Sequence, residues 1–179
     1  DKGLIQPIDL SVQSLVRVST SQTSPDMAVA SNGLTCLVYV DSGVSYYQVS
    51  DSATGQQIVS RTALPATSVN PRIFILGRFF VITFVANVVG VPHLQYIALP
   101  IAAPTSPTAA ADLSTTLSGL NTGYDGCVVN NTLYFAFGAS ANTVKTARLS
   151  STLILGAAAT ITTHSADLVS IVADSTGAS

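Results

Sequence analysis

The sequence predicts an all-β protein built from repeated four-stranded antiparallel sheets, as in a β-propeller or a propeller fragment. Three observations predict it: an apolar hairpin pattern recurs along the chain, its spacing matches one propeller blade, and helix-favouring residues are scarce. Glutamate is absent, whereas Val, Ile, Thr, Ser, Ala and Gly are frequent, and this composition favours strands and turns. A two-sheet β-sandwich is the alternative, because short strands with regular turns fit it too.

The hairpins share one plan, in which an apolar strand, a tight turn and a second apolar or aromatic strand follow one another. Their turns contain Asn32-Gly33, Gly77 and Asn130-Asn131, and these residue types tolerate the positive φ angles of short hairpin turns. A more polar strand follows each hairpin. The hairpins are 27–39, 73–84 and 127–137, and the strands that follow them are 44–50, 93–99 and 144–150.

The spacing of these units predicts the domain organisation. Strand starts at Met27, Ile73, Cys127 and Leu168 lie about 46, 54 and 41 residues apart, close to the ~40–50 residues of a four-stranded blade. We therefore expect a single all-β domain over 1–179, which is a fragment or part of a larger propeller. The proline-rich stretches at 64–71 and 99–107 are interpreted as connections between blades. The blade-like units are at about 25–66, 70–112 and 124–163, with a partial blade from 1–24 and 166–179.

Charged residues make up only 9% of the chain, seven of them basic and nine of them aspartate. The basic residues are scattered singly, which argues against a nucleic-acid-binding patch. The longest apolar stretch, 79–91, is shorter than the ~20 residues of a membrane-spanning helix, so no span is expected. Such a charge-poor composition suits a protein within a larger assembly or outside the cell. Cys36 and Cys127 are interpreted as small buried hydrophobic residues, with a disulfide as the alternative.

No catalytic, cofactor-binding or metal site is predicted. Only His93 and His164 could act as the base for a nucleophile, and both are interpreted as loop histidines. Asp26, Asp125 and Asp167 each stand just before an inner strand, near one rim of a propeller channel. We interpret them as turn caps, with a catalytic or Ca²⁺-binding role as the alternative. No nucleophile elbow, Walker motif or dinucleotide motif is present, and no cofactor is expected.

Aromatic residues offer another kind of candidate site, a surface on which sugars could stack. At strand spacing, however, most aromatic side chains lie in the core. We expect Val81 and Phe135 to face the blade interior and Gln48 to lie on an outer strand. The seven aromatic candidates are Tyr46, Tyr47, Phe79, Phe80, Tyr134, Phe135 and Phe137.

One unit of the chain resembles a known family. The segment Asn-Pro-Arg-Ile-Phe-Ile-Leu-Gly-Arg-Phe-Phe-Val-Ile-Thr-Phe at 70–84, followed by His-Leu-Gln-Tyr-Ile at 93–97, resembles propeller blades in tail proteins of tailed bacteriophages, of the nozzle or tail-tube type. The resemblance covers about 25–173 and rests on blade rhythm and on the charge-poor, Ser/Thr/Ala-rich composition. It implies a structural component of the virion, with no catalytic residues to carry over.

The leading functional hypothesis is therefore a structural or interaction component of a larger assembly, a phage tail protein and not an enzyme. Its expected partners are other protein subunits, including further copies of this chain, and a host-surface glycan. A carbohydrate-binding propeller is the alternative, motivated by the aromatic, Asn and Asp content of the turns, and an aspartate-dependent hydrolase is a weaker one. The expected location is the virion, with the extracellular space or cell surface as the alternative.

Overall fold

A computed structural model describes residues 22–65, 67–120, 123–139, 143–162 and 171. Within those ranges, strands form three four-stranded antiparallel sheets, and each sheet keeps its strands in chain order. This confirms the predicted all-β class with repeated four-stranded antiparallel sheets of the propeller type. No helix in the described ranges is long and apolar enough to cross a membrane.

We call the three sheets blades 1, 2 and 3 in chain order. Blade 1 contains β1–β4, blade 2 contains β5–β8, and blade 3 contains β9–β12. The strands are β1 Gln22–Val29, β2 Leu34–Asp41, β3 Val44–Asp51, β4 Gln57–Ala63, β5 Val69–Leu76, β6 Phe79–Val88, β7 Val91–Pro100, β8 Ala111–Ser114, β9 Tyr124–Val129, β10 Thr132–Ala139, β11 Thr143–Ser150 and β12 Ala159–Thr162.

The turn between β3 and β4 is held by the side chain of Asp51. One carboxylate oxygen of Asp51 accepts the backbone N–H groups of Ala53 at 2.8 Å and of Thr54 at 3.1 Å. Gly55 then adopts a φ of 70°, in the left-handed region that glycine enters without steric cost. The local Asp-x-x-Thr-Gly pattern therefore supplies the groups that hold this turn.

The turn between β6 and β7 has a less favourable sequence. Val89 has a φ of 51° and Gly90 a φ of 84°, so a β-branched residue occupies a left-handed position. The side chain of Val89 is 98% exposed, and no packing in the described structure explains its place. The continuous pairing of β6 with β7, which ends with Val88 opposite Val91, imposes this turn against local preference.

The second proline-rich stretch does not join two blades, and that prediction is wrong. Residues 101–110 connect β7 to β8 inside blade 2, and this loop folds back onto β7. The Thr108 backbone N–H donates to the Ala98 carbonyl at 2.9 Å, and the Thr108 hydroxyl accepts the Ala98 N–H at 2.9 Å. The chain leaves blade 2 only after Ser114. The first stretch, 64–71, does lie between blades 1 and 2, although β5 already begins at Val69.

The blades pack face to face and enclose two core layers. Side chains of blades 1 and 2 form the first layer, and side chains of blades 2 and 3 form the second. The strand β6 contributes alternately to both layers and is buried on both faces along most of its length, which explains its nearly continuous apolar sequence. Val81 and Phe135 are fully buried in the second layer, as expected from the sequence.

Both cysteines carry free thiols. Cys36 is buried in the first core layer, and this burial raises the pKa of its thiol. Cys127 is only half-buried, and the pKa of its thiol is raised by burial and by the nearby Asp125 carboxylate. The interpretation as a small buried hydrophobic residue is confirmed for Cys36, whereas Cys127 is more exposed than predicted.

Candidate functional site

Three charged residues occupy equivalent positions in the three blades. Asp26, Arg72 and Asp125 each lie on the first strand of a blade. In the strand register they occupy equivalent positions of the first hairpin of that blade. The strand β5 contacts both β1 and β9, so these positions are neighbours along one edge of the stack. We call the three residues the charged rim. Their own cross-strand partners are Val38, Thr83 and Ala136.

The two aspartates of the charged rim make the same pair of backbone contacts. In Asp26, Oδ1 accepts the N–H of the next residue, Met27, at 2.9 Å, and Oδ2 accepts the N–H of Ile73 in blade 2 at 3.1 Å. In Asp125, Oδ1 accepts the N–H of Gly126 at 2.9 Å, and Oδ2 accepts the N–H of Ile171 at 3.3 Å. Each carboxylate therefore ties its own strand to a segment 46 or 47 residues further along the chain.

These contacts fix the orientation of both carboxylates. A carboxylate oxygen has two lone pairs, so one carboxylate can accept hydrogen bonds from several donors at once. The half-buried side chains of Asp26 and Asp125 thus present oriented acceptors at the edge of the stack. The prediction that these aspartates stand before the inner strands and cap turns is wrong, because Asp26 lies within β1 and Asp125 within β9, where each bonds the amide of the next residue.

Arg72 lies between the two aspartates in the order of the blades and behaves differently. Its side chain is exposed, and it forms no hydrogen bond or ion pair with the described part of the chain. Its guanidinium is nevertheless close enough to the Tyr124 hydroxyl to lower the pKa of that group. A guanidinium offers five N–H donors, so the charged rim has donors available in the middle and acceptors on either side.

Tyr124 is a buried residue next to the charged rim. Its buried hydroxyl donates to the Asn70 carbonyl at 2.7 Å, and the buried Thr83 hydroxyl lies 3.0 Å away and supplies the second bond as a donor. Burial raises the pKa of Tyr124 well above its ordinary value, and Asp26 and Asp125 raise it further, whereas Thr83 and Arg72 lower it. All three rim residues therefore act electrostatically on one buried hydroxyl, which stays protonated at neutral pH.

Glycine follows Asp125 because the neighbouring blade occupies the space that a side chain would need. A Cβ atom on Gly126 would lie 2.9 Å from Cζ of Phe74 and 3.2 Å from Cδ1 of Phe135. The rings of Phe74 and Phe135 meet edge to face, with centroids 6.0 Å apart and an interplanar angle of 88°. This contact links blade 2 to blade 3 directly beneath the charged rim.

The other residues singled out from the sequence do not join the charged rim. His93 bonds Asp112 across β7 and β8, with 3.0 Å between Nδ1 and Oδ1, and Gln95 donates to the same oxygen at 2.8 Å. This polar cluster stands on the outer strands of blade 2. Asp167 and His164 lie outside the described residues. Among the described residues, no three His, Cys, Asp or Glu side chains are grouped so that they could hold a metal ion.

Most of the aromatic candidates are core residues. Tyr47, Phe79, Phe80, Phe135 and Phe137 are buried, whereas Tyr46 and Tyr134 are half-buried. The ring of Tyr46 is not free to stack on a sugar, because the guanidinium of Arg61 covers it.

A second polar cluster on blade 1 was not predicted from the sequence. Arg61 of β4 pairs with Asp41 of β2 at 2.9 Å, and its guanidinium lies 3.7 Å from the ring centroid of Tyr46. Tyr39 stacks on Tyr46 with centroids 5.9 Å apart. Irregular pairing between β3 and β4 sets which residues meet here, so sequence spacing carries no clear signal for it.

No family model and no curated protein matches this chain. Several solved structures do match. The catalytic domain of the Coprinopsis cinerea GH62 α-L-arabinofuranosidase has a TM-score of 0.49 and 10% identity, over 78% of this chain and 50% of that one. The Podospora anserina α-L-arabinofuranosidase in complex with cellotriose has a TM-score of 0.48 and 9% identity, over 78% and 50%. The Bacteroides thetaiotaomicron endo-arabinase has a TM-score of 0.48 and 11% identity, over 78% and 55%.

These comparisons correct two predictions. The matching structures named above are glycoside hydrolases and not phage tail proteins, so the resemblance to phage tails is not supported. The predicted function as a phage tail protein is therefore wrong. The prediction that the chain is not an enzyme is contradicted by the same neighbours. The chain spans about half the length of the structures it matches, and at this identity the likeness concerns the blade arrangement and transfers no residue role.

Proposed function

We propose that this chain is a carbohydrate-binding propeller segment and that the charged rim is its binding surface. The observation that carries the proposal is the convergence of Asp26, Arg72 and Asp125 at equivalent positions of three successive blades. Only 9% of the residues are charged, and three of them meet at this edge around one buried tyrosine. Charges are expensive to gather unless they serve each other or a ligand, and Arg72 has no ion-pair partner in the described structure.

The chemistry of the charged rim suits hydroxyl groups. A sugar hydroxyl both donates and accepts hydrogen bonds, so neighbouring hydroxyls can bond a carboxylate on one side and a guanidinium on the other. The order Asp26, Arg72, Asp125 offers acceptor, donor and acceptor in turn. The backbone N–H groups that bond both carboxylates hold them in place before a ligand arrives, which lowers the entropic cost of binding. The charge-poor composition also fits a location outside the cell or at its surface.

The first test is the affinity of the chain for neutral oligosaccharides. Titration calorimetry with arabino-oligosaccharides and cellotriose is expected to detect binding, and Arg72→Ala is expected to raise the Kd at least tenfold, about 1.4 kcal/mol. Arg78→Ala is the matched control, because Arg78 is also exposed, belongs to the same hairpin and lies in the β5–β6 turn away from the charged rim. Equal effects of the two substitutions, or no binding by the parent chain, would contradict the proposal.

Hydrolysis at the same rim is the second candidate function. Two carboxylates, Asp26 and Asp125, flank the central arginine in the order of the blades, and glycoside cleavage ordinarily uses two carboxyl groups. Cleavage of a glycosidic bond creates a new reducing end, so the samples from the titration are also assayed for newly formed reducing ends. If the parent chain forms reducing ends and both Asp26→Asn and Asp125→Asn abolish their formation, the result would favour a hydrolase. Binding without formation of reducing ends would favour the carbohydrate-binding function.

A further inference from the structure

Arg72 occupies, in blade 2, the position at which blades 1 and 3 carry a carboxylate that bonds a later segment of the chain. Asp26 of blade 1 accepts the backbone N–H of Ile73 in blade 2 at 3.1 Å. Asp125 of blade 3 accepts the N–H of Ile171 at 3.3 Å in the same way. In the strand register Arg72 is equivalent to both aspartates, but an arginine side chain has no acceptor and cannot make such a bond.

The hydrogen bonds of the charged rim explain why residue 72 is not an aspartate. Asp26 and Asp125 each accept the N–H of the residue that follows them, at 2.9 Å in both cases. An aspartate at position 72 would therefore compete with Asp26 for the N–H of Ile73. This condition requires only a side chain without an acceptor, which an apolar residue would also satisfy. The contact between blades 1 and 2 thus leaves the positive charge of Arg72 unexplained.

The backbone next to Arg72 is shaped by an irregularity in strand pairing. The register of β5 with β6 shifts between Val69 and Arg72, and Asn70 within this shift has a φ of 52°, in the left-handed region. The Asn70 carbonyl accepts the Tyr124 hydroxyl at 2.7 Å, so blade 3 holds the irregularity in place. Bulges of this kind re-aim the side chains beside them and are frequent next to active sites.

The guanidinium of Arg72 is suited to an anionic ligand. It is exposed and has no hydrogen-bond or ion-pair partner in the described part of the chain. Burial is the largest influence on the pKa of the Tyr124 hydroxyl, but among the three rim charges Arg72 acts on it most strongly. The charge of each rim aspartate is partly offset by the two backbone N–H groups that it accepts. A planar guanidinium can bond both oxygens of a carboxylate, and such charged pairs are stronger than hydrogen bonds to neutral groups.

We infer that the charged rim prefers acidic saccharides and that Arg72 binds the carboxylate of a uronic acid residue. This inference rests on the proposed function, because it names the class of saccharide that the same surface binds. Tyr124 is a positioning residue for this preference, since its hydroxyl holds the bulge at Asn70 from which Arg72 projects.

Titration calorimetry with a matched pair of ligands tests the inference. The pair is cellotriose and the same trisaccharide with each C6 hydroxymethyl group oxidised to a carboxylate. We expect a Kd about tenfold lower for the acidic trisaccharide. Added sodium chloride is expected to narrow this difference, because salt screens exposed charges. Arg72→Gln, which keeps N–H donors but removes the charge, is expected to abolish the preference. Arg78→Gln, at an exposed arginine of the same hairpin outside the charged rim, is expected to keep it.

Tyr124→Phe tests the positioning role, because it removes only the hydroxyl that bonds Asn70 and Thr83. It is expected to reduce the preference for the acidic trisaccharide without abolishing it. A purely structural role of Tyr124 would instead change the affinities for both trisaccharides by the same factor, and that result would overturn the positioning role.

The outcomes separate this inference from the proposed function. If cellotriose binds and the acidic trisaccharide binds no more tightly, the inference is overturned and the proposed function stands. If neither trisaccharide binds, the proposed function fails and the inference falls with it. A preference that survives unchanged in Arg72→Gln would overturn the assignment of the carboxylate to Arg72.

Discussion

Replacing Phe135 with alanine is expected to lower the free energy of unfolding by about 3–5 kcal/mol, the range for truncation of a buried aromatic side chain. Phe135 is fully buried in the second core layer, and its ring meets Phe74 of blade 2 edge to face. Truncation removes this contact and leaves a cavity that β-sheets on both sides cannot easily close. Urea unfolding followed by circular dichroism measures the change.

Gln48→Ala provides the control for that measurement, since Gln48 lies on β3 and is only partly buried. It is expected to change the free energy of unfolding by no more than about 0.5 kcal/mol. Similar small losses for Phe135→Ala and Gln48→Ala would show that blades 2 and 3 do not share a packed core layer, and the stacked arrangement would then be wrong.

Gly126→Val is the second substitution with a large expected effect, a loss of about 1–3 kcal/mol or more from overpacking. Even a Cβ atom at this position would lie 2.9 Å from Phe74 and 3.2 Å from Phe135, so the rings must move. The substitution is also expected to displace the Asp125 carboxylate of the charged rim, because the backbone N–H of residue 126 donates to it. Urea unfolding gives the loss in stability.

A double-mutant cycle separates this clash from other effects of the substitution. Phe74→Leu removes the nearest ring atoms, so Gly126→Val is expected to cost less in the Phe74→Leu background than in the parent chain. Strictly additive losses would mean that Phe74 and residue 126 do not touch, which contradicts the described contact between blades 2 and 3.

The strands of this protein follow largely from local sequence. Alternating or continuous apolar runs, and turns with glycine or asparagine, predicted the hairpins, and the turn at Asp51 and Gly55 is likewise held by local contacts. The loop at 101–110 was misassigned because clustered prolines mark a loop without saying which strands it joins. The position of β8 depends on its pairing with β7, and that is a tertiary contact.

The charged rim could be predicted only in part. Asp26 and Asp125 were selected because each was expected just before an inner strand, and the structure places both within the first strands of their blades, at the same edge of the stack. Arg72 was missed, although it precedes Ile73 just as Asp26 precedes Met27, because the repeat was aligned on apolar residues alone. The third unit was also aligned one residue late, at Cys127 in place of Gly126, since a glycine gives no apolar signal. The ion pair of Asp41 with Arg61 depends on strand irregularities that no local pattern encodes.

The most direct test of a carbohydrate site at the charged rim is a map of backbone amide chemical shifts during titration with the tightest-binding neutral oligosaccharide. The proposal predicts that the largest changes fall on the amides that donate to the rim carboxylates, those of Met27, Ile73, Gly126 and Ile171. The amide of Gln48, on an outer strand of blade 1, should stay unchanged. Changes confined to outer strands, with these four amides unmoved at saturation, would contradict the assignment of the charged rim as the binding surface.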